Sequence, residues 1–175
     1  CLAGFAALQV GYTLRLKHVV LVDVLVISGL FVVRAAAGAI AVDVRISPWL
    51  LVCTGLLALF LALGKRRGEI VLVDAESTPG RPVLDGYSLA LVDQLLATVA
   101  AATIVAYAVY TFTAHSPLLA ATIPLVVFGV FRYLLLLHRR GVGEEPEHVL
   151  VSDAPILLTV AAWAAACALV LAFLD

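Results

Sequence analysis

The stretch Val19–Val42, VVLVDVLVISGLFVVRAAAGAIAV, decides the fold. A chain needs roughly 20 mostly apolar residues to cross about 30 Å of hydrocarbon as a helix, and this run is long enough although it carries Asp23 and Arg34. It shows no apolar/polar alternation and is far too long for a barrel strand. A helix, which pairs its backbone polar groups within its own segment, is the element that suits lipid. Four further runs read the same way: Pro48–Gly64, Tyr87–Phe112, Pro117–Leu137 and Ala154–Leu174. The expectation is an all-α polytopic transmembrane bundle, a single membrane domain over residues 1–175 with five full spans. The apolar segment Cys1–Val10 is too short to span and reads as the tail of a further helix.

Composition agrees. The chain is 64% apolar and 13% charged, against about a quarter charged in ordinary soluble domains. The apolar residues are spread over the whole length rather than gathered into one core. A net charge of −1 argues neither for nor against nucleic-acid binding. The chain opens on Cys1 and contains no Met, so it reads as a fragment or trimmed product. Its opening segment lacks the basic region and cleavage site of a signal peptide. Cys1, Cys53 and Cys167 match no metal or redox spacing and read as small apolar fillers.

The breaks between spans are marked by proline and glycine. Ser47-Pro48 and Ser116-Pro117 place Pro at a helix start, where its missing N–H does no harm. Pro79, Gly80 and Pro82 lie in one connection, and Gly141, Gly143 and Pro146 in another. Pro124, inside the fourth span, predicts a kink. Small residues at Ala35–Ala39 and Ala161–Ala166 predict close helix crossings. The basic residues fall almost wholly to one side: Arg15, Lys17, Lys65, Arg66, Arg67, Arg81, Arg139 and Arg140 against Arg45 alone. By the positive-inside rule that side is expected to be cytoplasmic, and the expected setting is the plasma (inner) membrane.

The same side holds the candidate chemistry. The connection Lys65–Asp85 carries Lys65, Arg66, Arg67, Glu69, Asp74, Glu76, Arg81 and Asp85, a set able to hold an anionic substrate through its cations and a divalent metal through its carboxylates. A solvated loop obeying the charge rule explains the same composition. Within the spans, Asp23 and Arg34 stand eleven residues apart, close to three helical turns, and therefore share one face. Asp93 and Arg132 are further charges in spans. Ionisable groups at that depth face a polar cavity or a partner. The two readings are a cavity open to the cytoplasm and an interhelical ion pair of Arg34 with Asp23 or Asp93. Arg15 and Lys17, in Tyr12–His18, suit phosphate binding, whereas His18 reads as an interfacial residue. No Ser/His/Asp order, P-loop or HExxH motif appears.

Gly11-Tyr12-Thr13-Leu14-Arg15-Leu16-Lys17-His18, Leu21-x-Asp23 and Val33-Arg34-Ala35-x-Ala37-Gly38 resemble the middle of a UbiA-type membrane transferase. Downstream, Leu63-Gly64-Lys65-Arg66-Arg67-x-Glu69 and Arg81-Pro82-Val83-Leu84-x-x-Tyr87 are similar to the branch that transfers phosphoribose to decaprenyl phosphate. So are Arg132-Tyr133, Gly143-Glu144-Glu145-Pro146-Glu147 and Asp153. The resemblance covers nearly all of the chain, and its strength lies in several spaced motifs in order. It implies nine transmembrane helices around a cavity open to the cytoplasm. The implied reaction passes 5-phosphoribose from phosphoribosyl pyrophosphate to a polyprenyl phosphate lipid, with Mg²⁺, and the product feeds cell-wall arabinan synthesis. It implies catalytic roles for Asp23, Arg34 and Glu69, with Glu69 at the metal, and phosphate-binding roles for Arg15, Lys17, Lys65, Arg66 and Arg81. The chain departs from the family in lacking the motif Asn-Asp-x-x-Asp-x-x-x-Asp, and it contains no Asn at all. The resemblance assigns that motif to a missing N-terminal half, without which the fragment alone is expected to be inactive. Two other readings stay open: a UbiA-type prenyltransferase acting on an aromatic acceptor, and a non-catalytic bundle or transporter piece.

Overall fold

A computed structural model describes residues 19–41, 43, 47–76, 82–113, 117–140 and 152–173. Five α-helices follow in order: α1 Val22–Ala41, α2 Pro48–Glu76, α3 Leu89–Thr113, α4 Ile123–Arg140 and α5 Ala154–Phe173. Short 3₁₀ turns, Pro82–Gly86 and Pro117–Thr122, precede α3 and α4. There is no strand among the described residues. Four segments are long and apolar enough to cross a membrane: Val22–Ala41, Pro48–Val73, Leu89–Thr113 and Leu118–Arg139. The fifth expected span is present as α5, whose apolar stretch Ala154–Val170 is shorter than the other four. The all-α membrane bundle read from the sequence is therefore the fold.

Helix α2 is the centre of the arrangement, packed against α1 on one side and α3 on the other, while α5 packs on α4. Its start follows the sequence signal: Ser47 offers its carbonyl to the N–H groups of Leu50 and Leu51, and Pro48 occupies the first helical position. Its end does not. The segment Lys65–Glu76, read from the sequence as loop, continues the helix through Gly64 and Gly68. At 1.5 Å per residue a helix of 29 residues is about 44 Å long, well beyond the roughly 30 Å hydrocarbon thickness. The charged end of α2 thus extends past the apolar slab as helix, held there by side-chain partners on its neighbours.

The core lies near that end. Phe60, Leu63, Val92, Leu96, Tyr133 and Leu137 are among its most deeply buried side chains. In lipid, contact of this kind rather than exclusion of water holds helices together, and small residues permit it. Gly64 is such a position. A Cβ placed there would stand 2.6 Å from the Tyr133 hydroxyl oxygen and 3.2 Å from its ring, and the ring is fixed from below by Phe60, with centroids 5.2 Å apart. Gly64→Ala is therefore expected to destabilise the bundle by about 1–3 kcal/mol through overpacking. Thermal unfolding in detergent checks this, and Tyr133→Phe in the same background should recover part of the loss.

Two sequence expectations about packing are corrected. Among the described residues, Ala35–Ala39 and Ala161–Ala166 are exposed or half-buried. The close crossing of α1 and α2 occurs instead where the Ser28 hydroxyl donates to the Gly55 carbonyl at 2.6 Å. Pro124 does not kink a continuous α-helix. It is the second residue of α4, immediately after the 3₁₀ turn, so the change of helix type occurs where its missing N–H is tolerated. Across the bundle from the charged end, Trp163 Nε1 donates to the Tyr107 hydroxyl at 2.7 Å. That hydroxyl lies 2.6 Å from Thr122 Oγ1, which joins α3, α5 and the second 3₁₀ turn.

Candidate active site

The up-and-down order brings the start of α1, the end of α2, the start of α3 and the end of α4 to one end of the bundle, and the ion pairs among the described residues gather there. Asp23, in the first turn of α1, is wholly buried. Its Oδ2 accepts from Arg66 Nε at 2.7 Å and its Oδ1 from the Tyr87 hydroxyl at 2.7 Å. Tyr87 Oη in turn accepts the Leu21 N–H at 2.7 Å. Arg66, only 2% exposed, also donates through Nη1 to Glu69 Oε2, one turn further along α2. Tyr87 lies just ahead of α3; burial, reinforced by its bond to the Asp23 carboxylate, pushes its phenol up to about 12. It is a hydrogen-bond donor at any ordinary pH.

The adjacent arginines face different neighbours. One residue is about 100° of helix rotation, so Arg66 turns to α1 while Arg67 turns to α3 and α4. Arg67 Nε donates to Asp93 Oδ1 at 2.6 Å and Nη1 to the Leu137 carbonyl at 2.8 Å. His138 Nε2 lies 3.6 Å from the same Asp93 oxygen. Arg132 binds Asp153 with both ends of its guanidinium, at 3.2 and 2.9 Å. Asp153 Oδ1 also accepts the Ile156 N–H at 3.1 Å, capping α5.

Beside Arg66 a cavity of about 390 Å³ lies between α1 and α2. Ile27 and Phe31 form its α1 wall and Leu57 and Leu61 its α2 wall, with Lys65 and Arg66 at one end. Lys65 is half-buried and has no carboxylate partner among the described residues. The result is an apolar groove ending in N–H donors. Formally Lys65 and Arg66 balance Asp23 and Glu69, so the mouth offers directed donors rather than a strong positive field.

The structure thus brings together Asp23, Lys65, Arg66 and Glu69 from the sequence-predicted set. Arg34 stands apart: it is exposed on α1, eleven residues or roughly 16 Å along the axis from Asp23. The pairing of Arg34 with Asp23 or Asp93, one of the two readings of the sequence, is not formed: Arg66 and Arg67 occupy those carboxylates. Arg15, Lys17 and Arg81 lie outside the described residues, as do His18 and Gly143–Glu147. Tyr87 was missed as a site residue, although a buried Asp23 demands a second donor and Tyr87 closes a quoted motif. No group of three or more His, Cys, Asp and Glu side chains is placed to hold a metal among the described residues. Glu69 offers one carboxylate, already ion-paired with Arg66. That suits Mg²⁺ only as Mg²⁺ is usually bound, through one or two carboxylates plus substrate phosphates.

No family model matches the sequence. The chain is similar to three proteins named decaprenyl-phosphate phosphoribosyltransferase. That from Mycolicibacterium smegmatis is 26% identical over 174 residues, covering 93% of this chain and 54% of the relative. That from Corynebacterium glutamicum is 29% identical over 170 residues, covering 93% and 51%. That from Mycobacterium tuberculosis is 27% identical over 173 residues, covering 97% and 57%. The resemblance read from the motifs therefore extends over nearly the whole chain, and the chain spans about half the length of the curated relatives it matches.

Proposed function

We propose that this chain forms part of a membrane transferase that passes 5-phosphoribose from phosphoribosyl pyrophosphate to a polyprenyl phosphate such as decaprenyl phosphate, supplying a cell-wall arabinan precursor. The observation that carries this reading is the groove between α1 and α2, lined mainly by apolar side chains with Lys65 and Arg66 at one end. A ligand with a long hydrocarbon tail and an anionic head fits that division, and the relatives' names supply such a ligand. Ligand sites commonly combine apolar walls with a few placed polar groups in this manner.

In the proposed reaction a lipid phosphate oxygen attacks the anomeric carbon of the sugar. The carbon–oxygen bond to pyrophosphate breaks, and pyrophosphate departs with the electron pair. The nucleophile is already an anion, so no general base is required. What the protein supplies is alignment of the two reactants and donors for phosphate oxygens. Lys65 and Arg66 hold the lipid phosphate at the groove mouth, and Asp23 holds Arg66. Arg15, Lys17 and Arg81 are proposed as further phosphate ligands, and Arg34 as a lining residue of the cavity in the whole protein. Glu69 is the residue here that would hold Mg²⁺, which offsets charge on the pyrophosphate when bound. The basic end of the bundle is proposed to face the cytoplasm across the plasma membrane, where the water-soluble donor is found.

The test is a transfer assay on membranes carrying the full-length protein, with labelled phosphoribosyl pyrophosphate, decaprenyl phosphate and Mg²⁺. Label should appear in the lipid fraction. No label there, with prenylation of an aromatic acid from a prenyl diphosphate instead, would replace this reading with that of an aromatic prenyltransferase.

A further inference from the structure

We infer that Tyr87 is a positioning residue for the anion site: its hydroxyl fixes Asp23, and through Asp23 the Arg66 guanidinium, at the mouth of the α1–α2 groove. The inference rests on the reading of that groove as the seat of a lipid phosphate. Three bonds in series carry it. The Leu21 N–H donates to Tyr87 Oη, the Tyr87 hydroxyl donates to Asp23 Oδ1, and Arg66 Nε donates to Asp23 Oδ2. Among the described residues each Asp23 oxygen has one donor, from a different element.

Without the hydroxyl, Oδ1 loses its donor in a site where Asp23 has no exposure at all. The nearest replacement is the guanidinium itself. Side-on pairing through Nε and Nη2, the geometry Arg132 makes with Asp153, is a favoured one, and adopting it commits Nη2 of Arg66 to Asp23 as well. Tyr87 thus keeps Arg66 singly held by Asp23, with its other N–H groups directed elsewhere.

The tyrosine is itself held on both sides. Its N–H donates to the Leu84 carbonyl at 2.9 Å, closing the turn Pro82–Gly86. Gly86 lies so close to the start of α1 that a Cβ there would run into the Val20 side chain. Leu21, whose N–H reaches Tyr87, has φ of 67°, a left-handed conformation that non-glycine residues seldom adopt. The connection ahead of α3 and the entry to α1 therefore form one brace behind the groove mouth.

The test is binding of decaprenyl phosphate, and of uncharged decaprenol as the control, to the full-length protein in nanodiscs. Tyr87→Phe keeps the ring and removes the hydroxyl. It should weaken decaprenyl phosphate binding about tenfold, the scale of one hydrogen bond to a charged group, and leave decaprenol binding unchanged. In an Arg66→Gln background the same substitution should have no further effect on the phosphate, since Tyr87 acts through Arg66. A purely structural tyrosine would weaken both ligands, or weaken binding equally in both backgrounds, and either result overturns the inference. So does unchanged phosphate binding in Tyr87→Phe when the unsubstituted protein binds. Failure of the unsubstituted protein to bind decaprenyl phosphate overturns the groove reading, and the inference with it.

Discussion

Asp23→Leu is expected to destabilise the bundle by about 3–5 kcal/mol, the loss found when one partner of a buried ion pair is removed and the other is left uncompensated. Both partners are almost entirely inaccessible, Asp23 at 0% and Arg66 at 2% exposure. The substitution leaves the Arg66 Nε and the Tyr87 hydroxyl without their acceptor. It also removes the ion pair that joins α1 to α2 at that end. Asp23→Asn, which keeps an acceptor for Tyr87 but not the charge, should fall between. The double replacement Asp23→Leu with Arg66→Met should recover most of the loss, because a buried pair exchanged for apolar residues of similar volume is often neutral. Unfolding of the unsubstituted protein, Asp23→Leu, Arg66→Met and the double variant in the same detergent closes the cycle. Additive losses would show that the pair is not coupled and would remove Asp23 as the anchor of Arg66.

The second large effect separates function from stability. Lys65→Ala is expected to reduce transfer about 10²-fold, on the scale of removing one preorganised donor from a site of developing or bound negative charge, with little change in unfolding temperature. The reason is its place: Lys65 lines the groove mouth beside Arg66 and, among the described residues, is not spent on a carboxylate. Arg67→Ala should behave in the opposite way. Arg67 ties α2 to Asp93 on α3 and to the Leu137 carbonyl on α4, so its loss lowers stability. In protein that remains folded, turnover should change less than with Lys65→Ala. The comparison uses initial rates and unfolding of the same preparations. Equal losses of rate for the two would dissolve the division between a groove face and a packing face of α2.

The spans were legible because membrane helices announce themselves by length and apolarity, a signal that needs no knowledge of neighbours. The gathering of charge at one end was legible for the same reason, since it depends only on counting along the chain. What was not legible is which charges meet. Asp23 and Arg34 do share a face by periodicity, yet α2 covers α1 deeply at Asp23 and leaves Arg34 exposed. Periodicity says where a side chain points and not what stands opposite. The stretch Lys65–Glu69 was read as loop because glycines and charges are the usual marks of one. It is helical because Arg66 and Arg67 each find a carboxylate on a neighbouring helix and because Gly64 makes room for Tyr133. That adjacent Arg66 and Arg67 serve different walls follows from helix geometry once the segment is known to be helical.

The most direct measurement of the central claim is where the lipid lies. A polyprenyl phosphate carrying a photoreactive group in its first isoprene units, activated on the full-length protein in membranes, should label the walls of the α1–α2 groove. Mass spectrometry should find the adducts on Ile27, Phe31, Leu57 or Leu61, and excess unlabelled decaprenyl phosphate should suppress them. Adducts confined to α4 and α5, or groove labelling that the unlabelled lipid phosphate does not suppress, would contradict the account.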